Sequence, residues 1–162
     1  MQGQELISQN FKNNLKGVVV ECILLVLIIT FLYSASSKYF DLDIFSVAMR
    51  SQSFPNWLAT SLILLLPPIE IAIAVLLMFE RTKLLGAYIS ALVLLIFTVY
   101  SAMAEFRLFS HSACPCGGLI SKMNWKQHLI FNSTLFTMSA VGIYIKKFHA
   151  RSQVYSGLLP GK

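Results

Sequence analysis

The chain has 162 residues, of which 56% are hydrophobic and only 12% charged, with a mean hydropathy of +0.68 and a net charge of +6. A soluble domain carries about 25% charged residues, so a water-solvated globular core is excluded as the main body of this protein. The basic residues form no patch interleaved with aromatics, which argues against a nucleic-acid partner and assigns the charge to membrane topology and anionic lipid headgroups.

Four apolar runs follow in chain order, over residues 17–34, 57–79, 84–104 and 125–145. Each meets or nearly meets the roughly 20 residues a helix needs to cross about 30 Å of hydrocarbon. The alternating pattern of a membrane β-barrel is absent, which leaves helices as the spanning solution. The expected fold is therefore all-α: an integral membrane four-helix bundle forming a single membrane domain over residues 1–162. The first run is longer than a signal-peptide core and follows a polar leader carrying Glu5, so it predicts a retained anchor rather than a cleaved signal.

Orientation follows from lysine and arginine. With a cytoplasmic N-terminus, Lys12, Lys16, Arg81, Lys83, Lys146, Lys147, Arg151 and Lys162 lie inside, eight residues against the five outside, Lys38, Arg50, Arg107, Lys122 and Lys126. The positive-inside bias thus predicts both termini in the cytoplasm, in a bacterial inner membrane. The short turn at Glu80–Lys83 joins the second and third spans as an antiparallel hairpin. Residues 38–56 and 105–124 face outward, and residues 149–162 read as a mobile tail.

Two carboxylates fall inside apolar runs. Glu21 sits in the first turns of the first span, close enough to the surface to snorkel. Glu70 follows Pro67-Pro68 in the second span and needs a partner, a proton or water, because a lone buried carboxylate costs at least a few kcal/mol. Hydrogen bonding to carbonyls released by the prolines would satisfy a neutral Glu70; a proton relay or a ligand pocket would use it.

The outward segment 105–124 contains Cys114-Pro115-Cys116-Gly117-Gly118. A disulfide between cysteines two apart closes a small, strained ring, which raises its reduction potential and makes it labile. Such a bridge removes little unfolded-state entropy, because that gain grows with loop length, so a purely stabilising clip is a poor use of two thiols. Pro115 and the glycines help the loop present both sulfurs together. The other readings are inert cysteines and a soft-metal site, since His111, Cys114 and Cys116 supply one imidazole and two thiolates. Cys22 lies near the opposite end of the first span and reads as a small core residue.

The last span opens on Asn124-Trp125-Lys126-Gln127, a capping-box pattern that marks its start. Trp125, His128 and Asn132 then recur at i, i+3 and i+7 on one face. Trp125 and Asn132 suit an interfacial anchor and interhelical hydrogen bonding. His128 can exchange a proton near neutral pH, as a thiol–disulfide step or a quinone reduction requires.

At these residues the chain resembles the DoxX/MauE group of redox-associated membrane proteins. The likeness rests on Leu32-Tyr33-Ser34-Ala35-Ser36-Ser37-Lys38 with Asp41, on Pro67-Pro68-Ile69-Glu70, and on the Cys-Pro-Cys-Gly-Gly segment with Trp125, His128 and Asn132. It implies a bundle similar to that of vitamin K epoxide reductase and bacterial disulfide-bond oxidases, with roles in forming or reducing disulfides in exported partners beside a thioredoxin-like protein. Ala35 stands where the group usually has glycine, and the pair here is Cys-x-Cys where the architecturally similar enzymes have Cys-x-x-Cys. Three functions follow as expectations. The first is a thiol–disulfide oxidoreductase with Cys114, Cys116 and His128 at the reaction centre, Glu70, Trp125 and Asn132 as candidates for a cofactor pocket, and a quinone as the candidate cofactor. The second is a non-catalytic subunit of a larger envelope complex, and the third is a metal carrier through His111, Cys114 and Cys116.

Overall fold

A computed structural model describes residues 2–52, 55–108 and 124–157, with side-chain surroundings over 14–52, 55–108 and 124–147. Its elements are α1 (Gln2–Phe40), α2 (Leu42–Arg50), α3 (Asn56–Met78), α4 (Lys83–Glu105) and α5 (Trp125–Gly157). Among the described residues, four segments are long and apolar enough to span a membrane, Asn14–Phe40, Asn56–Met78, Lys83–Glu105 and Trp125–Lys147. The all-α, four-span fold is therefore as expected. Helix α1 runs past the apolar stretch at both ends, because an apolar run marks the lipid-embedded length and not the limits of the hydrogen-bond ladder.

The spans close a ring in which α1 packs on α3 and α5, and α4 packs on α3 and α5. Two side-chain pairs set the antiparallel register of α1 against α3 and its turn: Ser34 and Lys38 meet Glu70, while Glu21 meets Lys83. Ser34 lies thirteen residues along α1 from Glu21, about 20 Å at 1.5 Å per residue. Between these levels the ring is filled by Val20, Ile23, Leu24, Leu27, Ile73 and Leu77, all buried. Cys22, expected in this core, is instead exposed on the outer face of α1.

The short turn does more than connect. Lys83 is buried and donates to the Glu21 carboxylate at 2.9 and 3.0 Å and to Glu80, tying the turn to α1. The Lys83 ammonium holds the exposed Glu80 carboxyl below its usual range. Glu21 is exposed, as snorkelling requires.

Helices α3 and α4 approach closely at Gly86. A Cβ built there would lie 3.0 Å from Leu76 C and Leu77 N, both backbone atoms that cannot move aside alone. Gly86→Ala should therefore lower the melting temperature: overpacking costs about 1–3 kcal/mol, more than the up to about 1 kcal/mol gained in helix propensity. Gly17, with nothing within 4 Å of its built Cβ, is the control. Gly17→Ala should leave the melting temperature unchanged or raise it, and equal shifts for the two substitutions would contradict the close crossing.

The outward loop expected over 38–56 is corrected: Leu42–Arg50 is a helix, α2, that buries Phe45 and Met49 against Ala59 of α3. Helix α4 ends in a left-handed residue, Arg107 at φ 53°, with Leu108 N donating to Met103 O at 3.0 Å. That six-to-one bond is the Schellman way of satisfying a helix's last carbonyls. At the start of α5 the capping box is formed as expected, with Gln127 N donating to Asn124 Oδ1 at 2.9 Å and Asn124 N to Gln127 Oε1 at 3.0 Å.

Candidate functional site

The half of the ring nearer α2 is hollow. A cavity of about 370 Å³ opens there, lined by all four spans and by Met49 of α2. Glu70, Trp125, His128 and Asn132, singled out from sequence, all line it, together with Ser34, Lys38 and Tyr100.

Lys38 and Glu70 form its charged floor. Lys38 Nζ lies 2.8 and 3.0 Å from the two Glu70 oxygens and 2.6 Å from Ser34 Oγ, which itself donates to Glu70 Oε1 at 3.0 Å. Both side chains are buried, at 8% and 2% exposure. The three ammonium donors thus have three close oxygen acceptors, with Ser34 O a fourth at 3.4 Å. Phe45 adds its ring face, 5.8 Å from Nζ. Of the two accounts left open for Glu70, the geometry follows the one that puts it in a pocket: it lines the cavity, and its partners are Lys38 and Ser34 in place of proline-released carbonyls. Lys38 is likewise not a loop residue. The apolar run stops at Ser34, but helix α1 continues for more than a turn, and Lys38, at i+4 from Ser34, comes to the same face.

The opposite wall is an aromatic and polar array. His128 Nδ1 lies 3.0 Å from Asn132 Nδ2, and Trp125 stacks on the imidazole with centroids 6.4 Å apart and planes at 29°. Tyr100 meets Trp125 edge-on at 5.9 Å and donates its hydroxyl proton to Gln52 Oε1 at 2.7 Å. Tyr100 and Gln52 are not among the residues singled out from sequence, where nothing signals a contact between residues 48 positions apart. Asn132 is buried, but the interhelical hydrogen bond expected of it is replaced by one to His128, one turn away on the same helix.

His111, Cys114 and Cys116 lie outside the described residues, and so do Gly117 and Gly118. The described chain breaks off at Leu108 and resumes at Asn124, at the ends of α4 and α5 that flank the cavity. Among the described residues no group of three or more His, Cys, Asp or Glu side chains could hold a metal ion.

A protein-family model described as methylamine utilisation protein MauE matches residues 16–145, which takes in all four spans but for the first two and last two residues of the outer ones. Searches of curated proteins and of solved structures find no match.

Proposed function

The chain belongs to the MauE family of methylamine utilisation proteins and is a multi-pass membrane protein in contact with lipid, and on that premise we propose that it is a thiol–disulfide redox protein working through Cys114 and Cys116. Its substrate on this reading is an exported or periplasmic cysteine-containing partner, or a thioredoxin-like protein that serves one, reached from a bacterial inner membrane. One thiolate attacks the partner's disulfide, the partner's first sulfur leaves as a thiolate, and the second cysteine then displaces the partner's other sulfur from the mixed disulfide. Two electrons and two protons pass to the partner as its dithiol, and the Cys114–Cys116 disulfide forms; the reverse sequence oxidises a partner.

The observation that carries this reading is that the cavity holding His128 and the two ends of the cysteine segment share one side of the bundle. His128, four residues past Asn124, supplies a proton donor and acceptor there.

Intact cells with a permeabilised outer membrane provide the test. After mild reduction, a membrane-impermeant maleimide added from outside should label Cys114 and Cys116 and leave Cys22 unlabelled, because Cys22 lies toward the opposite end of α1 and faces lipid. Labelling of the pair only after the inner membrane is broken would reverse the orientation and remove access to an exported partner.

A further inference from the structure

We propose that α2 is an interfacial helix: its Ile44, Val47 and Ala48 edge docks into the acyl chains of the leaflet on the cavity's side, and its Asp43, Ser46 and Arg50 edge faces headgroups and water. This inference goes beyond the redox reading and stands without it, since it uses neither the cysteines nor His128.

The helix has three sides. At about 100° per residue, the order around its axis is Phe45, Met49 and Leu42, then Ser46, Arg50 and Asp43, then Val47, Ile44 and Ala48. The first group holds the buried pair, Phe45 and Met49, packed on α3. The second is polar, with Asp43 and Arg50 both exposed. The third is apolar yet unpacked, with Ile44 59% and Val47 68% exposed. A helix on the surface of a soluble bundle needs two sides, one for the core and one for water. A third side, apolar and turned away from the protein, is met by hydrocarbon when the helix lies at the membrane boundary.

The depth of α2 agrees with that setting. Phe45 and Met49 pack with Ala59, Leu62, Ile63 and Leu66, which lie three to ten residues past the start of α3. That is roughly 5 to 15 Å along a helix long and apolar enough to span the membrane. The register of the ion pair explains the position. Lys38 stands two residues before the end of α1, whereas its partner Glu70 stands fourteen residues past the start of α3. Beyond the pair, α3 therefore continues for about 20 Å while α1 stops almost at once, and α2 takes the vacant place beside α3. At the same depth α3 exposes Leu64 and Leu65, the lipid-facing surface to which the α2 edge adds. Trp57, 70% exposed one residue past the start of α3, suits the boundary above them. A protein partner fits this edge poorly, because three side chains fall well short of the roughly 800 Å² that each partner gives a stable association.

Lipid then lies one helix away from the cavity. Met49 lines that space, and the Phe45 ring stands 5.8 Å from Lys38 Nζ, so the inward side of α2 covers the ion pair while its apolar edge rests in lipid.

Spin labels read the two edges separately. In the full chain carrying Cys22→Ser, Cys114→Ser and Cys116→Ser, a nitroxide is attached through Ile44→Cys, Val47→Cys, Asp43→Cys or Ser46→Cys, with Leu64→Cys on the lipid face of α3 as the reference. In nanodiscs of palmitoyl-oleoyl phosphatidylcholine, labels at the positions of Ile44 and Val47 should collide severalfold more with dissolved oxygen than with a water-soluble nickel chelate, as at Leu64. Labels at the positions of Asp43 and Ser46 should show the reverse preference. On the unsubstituted protein, a phosphatidylcholine with a photoactivatable acyl chain should label the peptide that contains Ile44 and Val47. Nickel access at all four positions would put α2 in water, and oxygen preference at all four would sink it wholly in hydrocarbon. Shielding of the Ile44 and Val47 positions from both reagents would mean that protein covers the edge. Each of these results overturns the proposal, as does photolabelling of α3 that omits α2.

Discussion

Replacing Glu70 or Lys38 with methionine should each destabilise the bundle by about 3–5 kcal/mol, the usual cost of removing one partner from a buried ion pair. The reason is the charge left behind. With Glu70 gone, the Lys38 ammonium keeps only Ser34 and the Phe45 ring, inside a cavity whose remaining walls are mostly apolar. With Lys38 gone, the Glu70 carboxylate keeps one hydroxyl donor, Ser34. Water relieves such charges at a protein surface, but Lys38 lies seventeen residues along α1 from Glu21, about 25 Å, and still within a membrane span. The double replacement Lys38→Met/Glu70→Met should lose less than either single one, because an apolar pair of similar volume leaves no charge unmatched. Thermal melts in one detergent of the parent, Lys38→Met, Glu70→Met and double-replacement proteins close the double-mutant cycle. Additive losses would mean that the two side chains stabilise the bundle independently and that the ion pair is not what joins α1 to α3 here.

Much of this arrangement is legible in the sequence alone, and the exceptions have physical causes. The spans are legible because hydrocarbon thickness sets a length that an apolar run must meet. The face shared by Trp125, His128 and Asn132 is legible because helical spacing alone puts them together. Lys38 reads as a loop residue because hydropathy ends at Ser34 while the helix continues, yet a signal exists: a lone Glu70 in one span asks for a cation at the end of its neighbour. Cys22 misleads for a different reason. Lipid tails are as apolar as a protein core, so in α1 the buried stripe of Ile23, Leu27 and Phe31 looks like the lipid-facing residues beside it. Helix α2 is hidden because nine residues are too few to span, although Phe45 and Met49 already lie at helical spacing. The contact of Tyr100 with Gln52 depends on how α4 meets the segment after α2, a tertiary fact without a local sign.

On function, the cysteines should matter most. Cys114→Ser and Cys116→Ser should each abolish thiol–disulfide exchange, since one sulfur must form the mixed disulfide and the other must resolve it. His128→Ala should slow exchange without ending it, by up to the roughly 10²–10⁴-fold that acid–base assistance typically contributes, with water at the outer surface replacing part of that help. Cys22→Ser should change nothing, because Cys22 faces outward in lipid away from the cavity. In the cell, whichever single-cysteine variant retains the attacking thiol should accumulate its partner as a mixed disulfide that reductant releases. Full exchange activity in the double serine protein would transfer the role to a scaffold, in which the segment between α4 and α5 shapes a docking surface for a larger envelope complex.

Counting thiols on the intact protein decides whether Cys114 and Cys116 form a redox couple. Samples as isolated, after reduction and after reoxidation are blocked with an alkylating reagent under denaturing conditions and weighed by mass spectrometry. A redox couple predicts that reduced and reoxidised protein differ by two labels, that both labels map to Cys114 and Cys116, and that Cys22 is labelled in every sample. A label count that stays the same through reduction and reoxidation, or that changes only when a chelator is added, would contradict it.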